Sequence, residues 1–249
     1  MERWNGKVAL VTGASQGMGT AICTELVKSG MIVYGCGRKL NALEEVGTRL
    51  KDSPGQFHPI QCDLRDEKSI LNVFQTIDRQ AGKLHVLVNV AGVLKNCTLL
   101  NASTEDWREM IDILLLAPAI ASREAVKIMK KHGINDGHII NILSIGVHSF
   151  PPLPFLAFPC AMKCALLAIN KGLRNELQLQ EHTGIRVTSI SPGMTDTSTY
   201  DTITDEHINR AHPMKALQAG DIAAGVKYVL STPPGCNVFD VAMQPTGGF

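Results

Sequence analysis

Short apolar runs rich in β-branched residues alternate with amphipathic stretches along this chain, for example KVALVTG, MIVYGCG and GHIINILS. The runs are continuously hydrophobic, which is typical of parallel strands covered by helices on both faces. The pattern therefore predicts an α/β fold with one doubly wound parallel sheet in a single domain spanning residues 1–249. Helices are predicted near 18–30, 39–51, 66–81, 104–131, 159–180 and 220–230.

The amino-acid composition limits which classes of binding partner are expected. Lys and Arg total 24 against 23 Asp and Glu, without a dense run of either sign, so neither nucleic acid nor a membrane is an expected partner. The seven cysteines form no C-x-x-C pair, which predicts free thiols, no metal site and a reducing, cytoplasmic location. Residues 194–219, rich in Thr, Asp and His, are predicted to form an insertion over one edge of the sheet.

Ligands of such sheets bind beyond the carboxyl ends of the strands. The first strand ends in TGASQGMG, where Gly13, Gly17 and Gly19 either let the backbone approach a pyrophosphate or form an ordinary turn. The second strand ends in GCGRKL without an acidic residue for a ribose hydroxyl. Arg38 and Lys39 there favour a 2′-phosphate, hence NADP(H), unless they are only a solvated basic pair. Asp63 is expected to bind an adenine amino group, to cap the next helix, or both.

These motifs, with NVAG at 89–92, Ser144, Lys163 and SPGMTDT at 191–197, resemble the classical short-chain dehydrogenase/reductase family with its Rossmann-type fold. Other stretches, such as DGHIINI and YVLSTP, are similar to its cytosolic NADP-dependent branch of farnesol dehydrogenases and steroid or carbonyl reductases. The resemblance implies a homodimer or homotetramer. It also implies a cofactor site formed by Gly13, Ser15, Gln16, Gly17, Met18, Gly19, Arg38, Lys39, Asp63, Leu64, Asn89, Ala91, Gly92, Lys163, Pro192, Gly193, Thr195 and Thr197.

The catalytic half of the expected site departs from the family pattern. Ser144 matches the serine that holds the substrate oxygen, and Lys163 matches the lysine that binds the nicotinamide ribose. The family's tyrosine, which protonates the carbonyl, is replaced here by Pro159. Leu114 stands where the family has a relay asparagine, and Leu143 replaces an asparagine common in this branch. The chain's three tyrosines, at 34, 200 and 228, lie far from this register.

Each of these replacements exchanges a hydrogen-bonding side chain for an apolar one. Removing such groups together avoids leaving buried partners unpaired, so the changes predict a dry site for an apolar ligand; neutral decay is the alternative. The run HSFPPLPFLAFP supplies a hydrophobic wall. The residues expected around the ligand are Leu143, Ser144, His148, Phe155, Phe158 and Pro159.

These residues are compatible with two functions. The first is an NADP(H)-binding protein without tyrosine-based hydride transfer, which binds or converts, without redox chemistry, an apolar oxygen-bearing molecule such as a terpenoid, retinoid or steroid. The second is a slow oxidoreductase that uses Ser144, Lys163 and a surrogate acid, either water or His148.

Overall fold

The computed structural model of the chain describes residues 1–180, 184–197 and 216–247. Its central sheet is formed by seven strands: β1 (Val8–Thr12), β2 (Ile32–Gly37), β3 (Gln56–Gln61), β4 (Val86–Asn89), β5 (His138–Ile142), β6 (Arg186–Pro192) and β9 (Asp240–Met243). All pair in parallel, in the order β3-β2-β1-β4-β5-β6-β9, which confirms the predicted doubly wound topology.

Helices cover both faces of the sheet. They are α1 (Gly17–Lys28), α2 (Leu40–Leu50), α3 (Glu67–Ala81), α4 (Thr104–Ile111), α5 (Ala117–Lys131), α6 (Ala157–Gln178) and α7 (Ala219–Ser231), with short 3₁₀ turns at Glu2–Trp4, Ile145–Val147 and Pro154–Leu156. The stretch predicted as one helix over 104–131 is divided by a π-helical turn at Asp112–Leu116. The side chains of Asp66 and Ser103 cap α3 and α4, which explains where these helices begin.

Alternate residues of one strand supply two separate cores. On β1, Ala9 and Val11 pack into the core beneath α1, α2 and α7, whereas Val8 and Leu10 pack into the core beneath α3 and α5. Because successive side chains of a strand point to opposite faces, a strand covered on both sides must be apolar at every position. This explains why the strands are continuous hydrophobic runs in the sequence.

A second, short parallel pair lies at the predicted insertion, where β7 (Thr195–Asp196) pairs with β8 (Leu217–Gln218). The rest of the insertion predicted at 194–219, residues 198–215, lies outside the described residues. In the described part of the chain, the stretch Pro154–Gln178 is long and apolar enough to cross a membrane by length and composition alone. The core helix of a soluble protein passes the same test, and α6 is bonded to the sheet through the buried Asn170 and Arg174.

Candidate functional site

A cleft of about 820 Å³ opens beyond the carboxyl ends of β1, β2 and β4. Its position is the one where open parallel sheets bind their ligands. Most of the residues predicted to hold a cofactor meet in this cleft. Its walls are formed by Gly13, Ser15, Gln16, Gly17, Met18, Gly19, Gly37, Arg38, Cys62, Asp63, Leu64, Val90, Ala91, Gly92, Val93, Ile113 and Thr197.

The glycine turn brings backbone very close to backbone. Gly13 has φ +66°, and a Cβ at this residue would lie 2.8 Å from Ala91 Cα. A Cβ at Gly19 would lie 2.0 Å from the carbonyl oxygen of Gly13. The first turn of α1 has no side-chain cap and no acidic residue, so its free N–H groups suit an anionic group. The turn therefore has the geometry of a phosphate-binding helix N-terminus.

Charged groups stand at the far end of the cleft, after β2 and β3. Arg38 is exposed on its wall, whereas Lys39 does not line the cleft and instead precedes the first turn of α2. Hydrogen bonds from Arg65 hold the pKa of Asp63 below its ordinary value, with Arg65 Nη2 2.6 Å from Asp63 Oδ2. Asp63 therefore lines the cleft as a carboxylate, and it is Asp66, not Asp63, that caps α3.

A second cavity, of about 780 Å³, adjoins the cleft and is mainly apolar. Its polar side chains are few: Ser144, Lys163, Thr195 and Thr197, with the thiol of Cys160. The full lining consists of Met18, Val90, Gly92, Val93, Leu94, Leu114, Ile142, Leu143, Ser144, Leu156, Pro159, Cys160, Lys163, Pro192, Thr195 and Thr197. We call it the ligand cavity.

Lys163 lies on the wall of the ligand cavity and does not line the cleft. Its Nζ donates a hydrogen bond to the carbonyl oxygen of Ile142 at 2.7 Å, and its side chain lines both the ligand cavity and a smaller space of about 250 Å³ beside Asn89. Burial lowers the pKa of Lys163 to about 8. Ser144 Oγ accepts a hydrogen bond from Gly146 N at 3.1 Å, which fixes its hydroxyl at the end of β5. Burial raises the pKa of Cys160 to about 11, so its sulfur is a protonated thiol near neutral pH.

The three residues predicted to depart from the family pattern, Leu114, Leu143 and Pro159, all line the ligand cavity. Leu114 lies in the π-helical turn and is 2% exposed, while Leu143 follows β5 and is 4% exposed. Pro159 occupies the first turn of α6, where its missing N–H has no helical acceptor. The apolar replacements are therefore accommodated in regular backbone, and they line one continuous wall.

Three residues predicted around the ligand lie elsewhere. Phe155 is 2% exposed and packs inside the protein, because the 3₁₀ turn Pro154–Leu156 brings Leu156 to the wall in its place. The ring of Phe158 stacks on Trp107 with 5.3 Å between ring centroids. His148 is exposed, and its Nε2 lies 2.8 Å from Asp240 Oδ2. Since neither phenylalanine nor His148 lines the cavity, His148 is not placed to act as a surrogate acid.

A chain of buried amides, which the sequence motifs did not reveal, lies beneath the site. Asn89 Nδ2 donates to Asn141 Oδ1 at 2.8 Å, Asn141 Nδ2 donates to Asn170 Oδ1 at 2.6 Å, and Asn170 Nδ2 donates to Ser189 Oγ at 3.0 Å. These bonds join β4, β5, α6 and β6, and α6 carries Lys163. A polar residue in the middle of a fully buried apolar strand, as in HIINI, is the signal that could have indicated it.

The remaining predicted cofactor residues lie at the edges of the site. Asn89 lines the small space beside Lys163, while Pro192 and Thr195 line the ligand cavity. Gly193 lies behind the cavity and bonds through its N–H to Met243 O at 2.7 Å. Across the described residues, no group of three His, Cys, Asp or Glu side chains is arranged to hold a metal ion, and all seven cysteines are unpaired.

Comparison with known proteins places this geometry in context. The sequence profile described as short chain dehydrogenase matches residues 7–207. Dehydrogenase/reductase SDR family member 11 of Mus musculus is 41% identical over 99% of this chain and 96% of its own length. Farnesol dehydrogenase of Aedes aegypti is 37% identical over 99% of both chains. A metagenomic short-chain oxidoreductase, solved in complex with NADP, superposes with a TM-score of 0.81 at 26% identity, covering 97% of this chain and 98% of its own.

Proposed function

The chain belongs to the short-chain dehydrogenase family of NAD(P)-dependent oxidoreductases, and we propose that it binds NADP(H) beside a cavity for an apolar, oxygen-bearing small molecule. In this proposal the usual tyrosine-based hydride transfer is lost, so conventional dehydrogenase activity is weak or absent. The ligand is a terpenoid, retinoid or steroid, either bound or converted without redox chemistry.

The cleft suits two parts of the dinucleotide, the pyrophosphate and the 2′-phosphate. The free N–H groups at the start of α1 suit the pyrophosphate. Because Gly13 and Gly19 have no Cβ, the chain can form the tight turn that presents these N–H groups. Arg38 suits the 2′-phosphate that distinguishes NADP from NAD, and no acidic residue follows β2 to repel it. The solved relative in complex with NADP supports the same choice.

A nicotinamide cofactor supplies or accepts a hydride when it is bound. The residues of this chain must then hold the substrate oxygen and manage its proton. Ser144 lines the cavity, which supports a role in binding that oxygen, but the side chain of Pro159 has no proton to give. General acid–base help is typically worth about 10²–10⁴-fold in rate, so we expect its loss alone to make turnover weak.

One observation carries the proposal: Leu114, Leu143 and Pro159 line a single apolar cavity whose few polar groups include Ser144 and Lys163. Burying about 300 Å² of hydrocarbon there would contribute several kcal/mol at roughly 25 cal/mol per Å², before binding costs. The farnesol dehydrogenase relative supports a terpenoid as the apolar ligand.

We further propose a homo-oligomer in the cytoplasm. The outer faces of α5 and α6 form a groove of about 980 Å³ that includes the exposed Ile169 and the small Ala119 and Gly172. Apolar and small residues at such a surface favour burial between copies of the chain. Unpaired cysteines support a reducing compartment.

The test combines binding with turnover. NADPH is titrated into the purified protein by fluorescence, its oxidation is followed with carbonyl substrates, and the molecule that co-purifies is identified by mass spectrometry. We expect micromolar or tighter NADPH binding, turnover at least about 100-fold below that of tyrosine-bearing relatives, and a co-purifying apolar ligand. Vigorous turnover would contradict the proposal and support the oxidoreductase alternative, in which Lys163 and a water replace the tyrosine.

Restoring the polar groups sharpens this test. Pro159→Tyr alone should recover little activity, since the new hydroxyl would lie against Leu114 and Leu143 without a proton relay. The triple variant Pro159→Tyr, Leu114→Asn, Leu143→Asn should exceed it by at least about tenfold. Pro152→Tyr, at an exposed proline of the same segment, is the matched control and should leave turnover unchanged.

A further inference from the structure

Lys163 presents an amine to an apolar cavity. Its Nζ donates to the carbonyl oxygen of Ile142 at 2.7 Å, and among the described residues it forms no ion pair. The side chain is partly exposed, and it lines the ligand cavity together with Ser144, Pro159 and Cys160. A carboxylate beside it would hold the amine in its charged form, but the surrounding walls favour the neutral form.

Neutral amines are nucleophiles, and burial brings the pKa of Lys163 down to about 8. A sizeable fraction of the amine is therefore unprotonated slightly above neutral pH. The hydrogen bond to Ile142 O uses one N–H and leaves the nitrogen lone pair free to attack a carbon atom.

The neighbouring groups assist the amine without competing with it. Ser144 Oγ accepts from Gly146 N, and its O–H, which lies beside the Cys160 thiol, can turn to donate to a stronger acceptor such as an oxygen in the cavity. Cys160 is held as a thiol, since burial raises its pKa to about 11, and a thiol is a much weaker nucleophile than a thiolate.

We propose that Lys163 is a covalent site for an apolar aldehyde, which it holds as an imine in the ligand cavity. This inference rests on the proposed function and narrows its oxygen-bearing ligand to a carbonyl compound. Nζ attacks the carbonyl carbon, a C–N bond forms, and a proton passes from nitrogen to oxygen to give a carbinolamine. The C–O bond then breaks as Ser144 gives its proton to the departing oxygen, and Ser144 regains a proton from the nitrogen as the C=N bond forms. Amine and aldehyde thereby become imine and one water without oxidation or reduction.

The family resemblance gives Lys163 a second role, a hydrogen bond to the nicotinamide ribose. One amine cannot serve both purposes at the same time, so the imine is expected in the cofactor-free protein. The test therefore uses full-length protein freed of nucleotide.

The protein is incubated at pH 8 with farnesal, an apolar terpenoid aldehyde, and sodium cyanoborohydride, which reduces an imine to a stable secondary amine. Peptide mass spectrometry then locates the adduct. We expect occupancy at Lys163 to exceed that at the exposed Lys39 and Lys171 by at least about tenfold. Lys163→Arg removes the nucleophile, so this adduct should disappear. Lys171→Arg, at an exposed position of the same helix, is the matched control and should leave the adduct at Lys163 unchanged.

A competition experiment needs no variant. Excess of the alcohol farnesol should suppress labelling of Lys163 and leave labelling of Lys39 unchanged. Even labelling across the exposed lysines, or labelling of Lys163 that farnesol does not suppress, would overturn the inference. If farnesol binds by calorimetry but Lys163 is not trapped, the covalent site is wrong and the proposed function stands. If farnesol does not bind and Lys163 is not trapped, both are wrong for this class of ligand.

Discussion

The cofactor cleft and the ligand cavity share one edge of the sheet but are built by different means. The pyrophosphate end of the cleft is defined by backbone, namely the glycine turn and the free N–H groups of α1, and only its far end depends on the charged side chains of Arg38 and Asp63. The ligand cavity is defined by side chains, and its wall is mainly Val, Leu and Pro. Few substitutions are compatible with the backbone geometry of the glycine turn. A single substitution, in contrast, can change the chemical character of the ligand cavity wall.

The ligand cavity illustrates this freedom. The π-helical turn at Asp112–Leu116 is present although Leu114 stands where the family has an asparagine. Pro159 suits the first turn of α6 as well as most residues do. Leu114 and Pro159 both lie within helical backbone, so side chains at these positions can alter the chemistry of the cavity without altering the fold that supports it.

The largest effect should come from disturbing the backbone of the cleft. In Gly19→Ala, the new Cβ would lie 2.0 Å from Gly13 O, and the turn must move to relieve this contact. We expect NADPH affinity to fall by more than about 100-fold, because the turn is what presents the N–H groups to the pyrophosphate. Fluorescence titration measures the effect.

Gly220→Ala is the matched control. A Cβ at this residue in the first turn of α7 meets nothing within 4 Å, so NADPH binding should not change. Equal NADPH affinities of the two variants would show that the cleft does not depend on the backbone of the glycine turn. The cleft and the ligand cavity would then not differ in how they are built.

The next largest effect is on stability and concerns the chain of buried amides beneath the site. Asn170→Leu should lower the free energy of unfolding by about 2–3 kcal/mol, since it leaves Asn141 Nδ2 and Ser189 Oγ buried without their partner. Urea denaturation measures this change. Asn175→Leu, at an exposed position on the same helix, should cost less than about 0.5 kcal/mol. If Asn170→Leu is equally harmless, apolar replacement is tolerated throughout the site and not only on the cavity wall.

The parts of the site that follow from local rules could be predicted from the sequence. The glycine turn lies where strand and helix patterns meet, and the helix starts at Asp66 and Ser103 follow from capping residues. The doubly wound sheet follows from continuous apolar strands. Each of these signals lies within a few residues of the feature that it predicts.

The parts that depend on distant partners could not be predicted. The ring of Phe158 stacks on that of Trp107 and does not line the cavity. His148 lies outside the cavity, where its ring pairs with the carboxylate of Asp240 on the last strand. The π-helical turn adds no recognisable pattern to a long amphipathic stretch. The polar Asn141 within the apolar run HIINI indicates a buried hydrogen bond, but its partners lie on other elements and cannot be identified from this segment.

A smaller loss of NADPH affinity should result from removing the charge of Arg38, a change that leaves the backbone of the cleft intact. Arg38→Gln should weaken NADPH binding by about tenfold, roughly 1.4 kcal/mol, and leave NADH binding unchanged, because only NADPH carries the 2′-phosphate. Lys39→Gln is the control, since Lys39 does not line the cleft. Parallel titrations with both nucleotides measure the preference. Equal losses for NADPH and NADH would show that Arg38 supports the cleft generally and does not select the cofactor.

The smallest effect concerns the pH dependence of stability that Lys163 contributes. Its pKa is lowered from 10.5 to about 8 in the folded protein, so between these values the unfolded chain binds a proton that the folded chain lacks. Stability must therefore rise with pH through this window, and the cost of burying the charge is fully present only below about pH 8. Because the Lys163 side chain is partly exposed, we expect a gain on the order of 1 kcal/mol, less than the whole shift would give.

Buried thiols oppose this trend, since the raised pKa of Cys160 means that the unfolded chain loses its thiol protons first. The measurement is therefore the difference between wild type and Lys163→Met, followed by urea denaturation from pH 7 to about pH 10. Wild type should gain stability relative to the variant as the pH rises. A difference that does not vary with pH would mean that Lys163 keeps an ordinary pKa, and the ligand cavity would then be as well solvated as the cleft beside it.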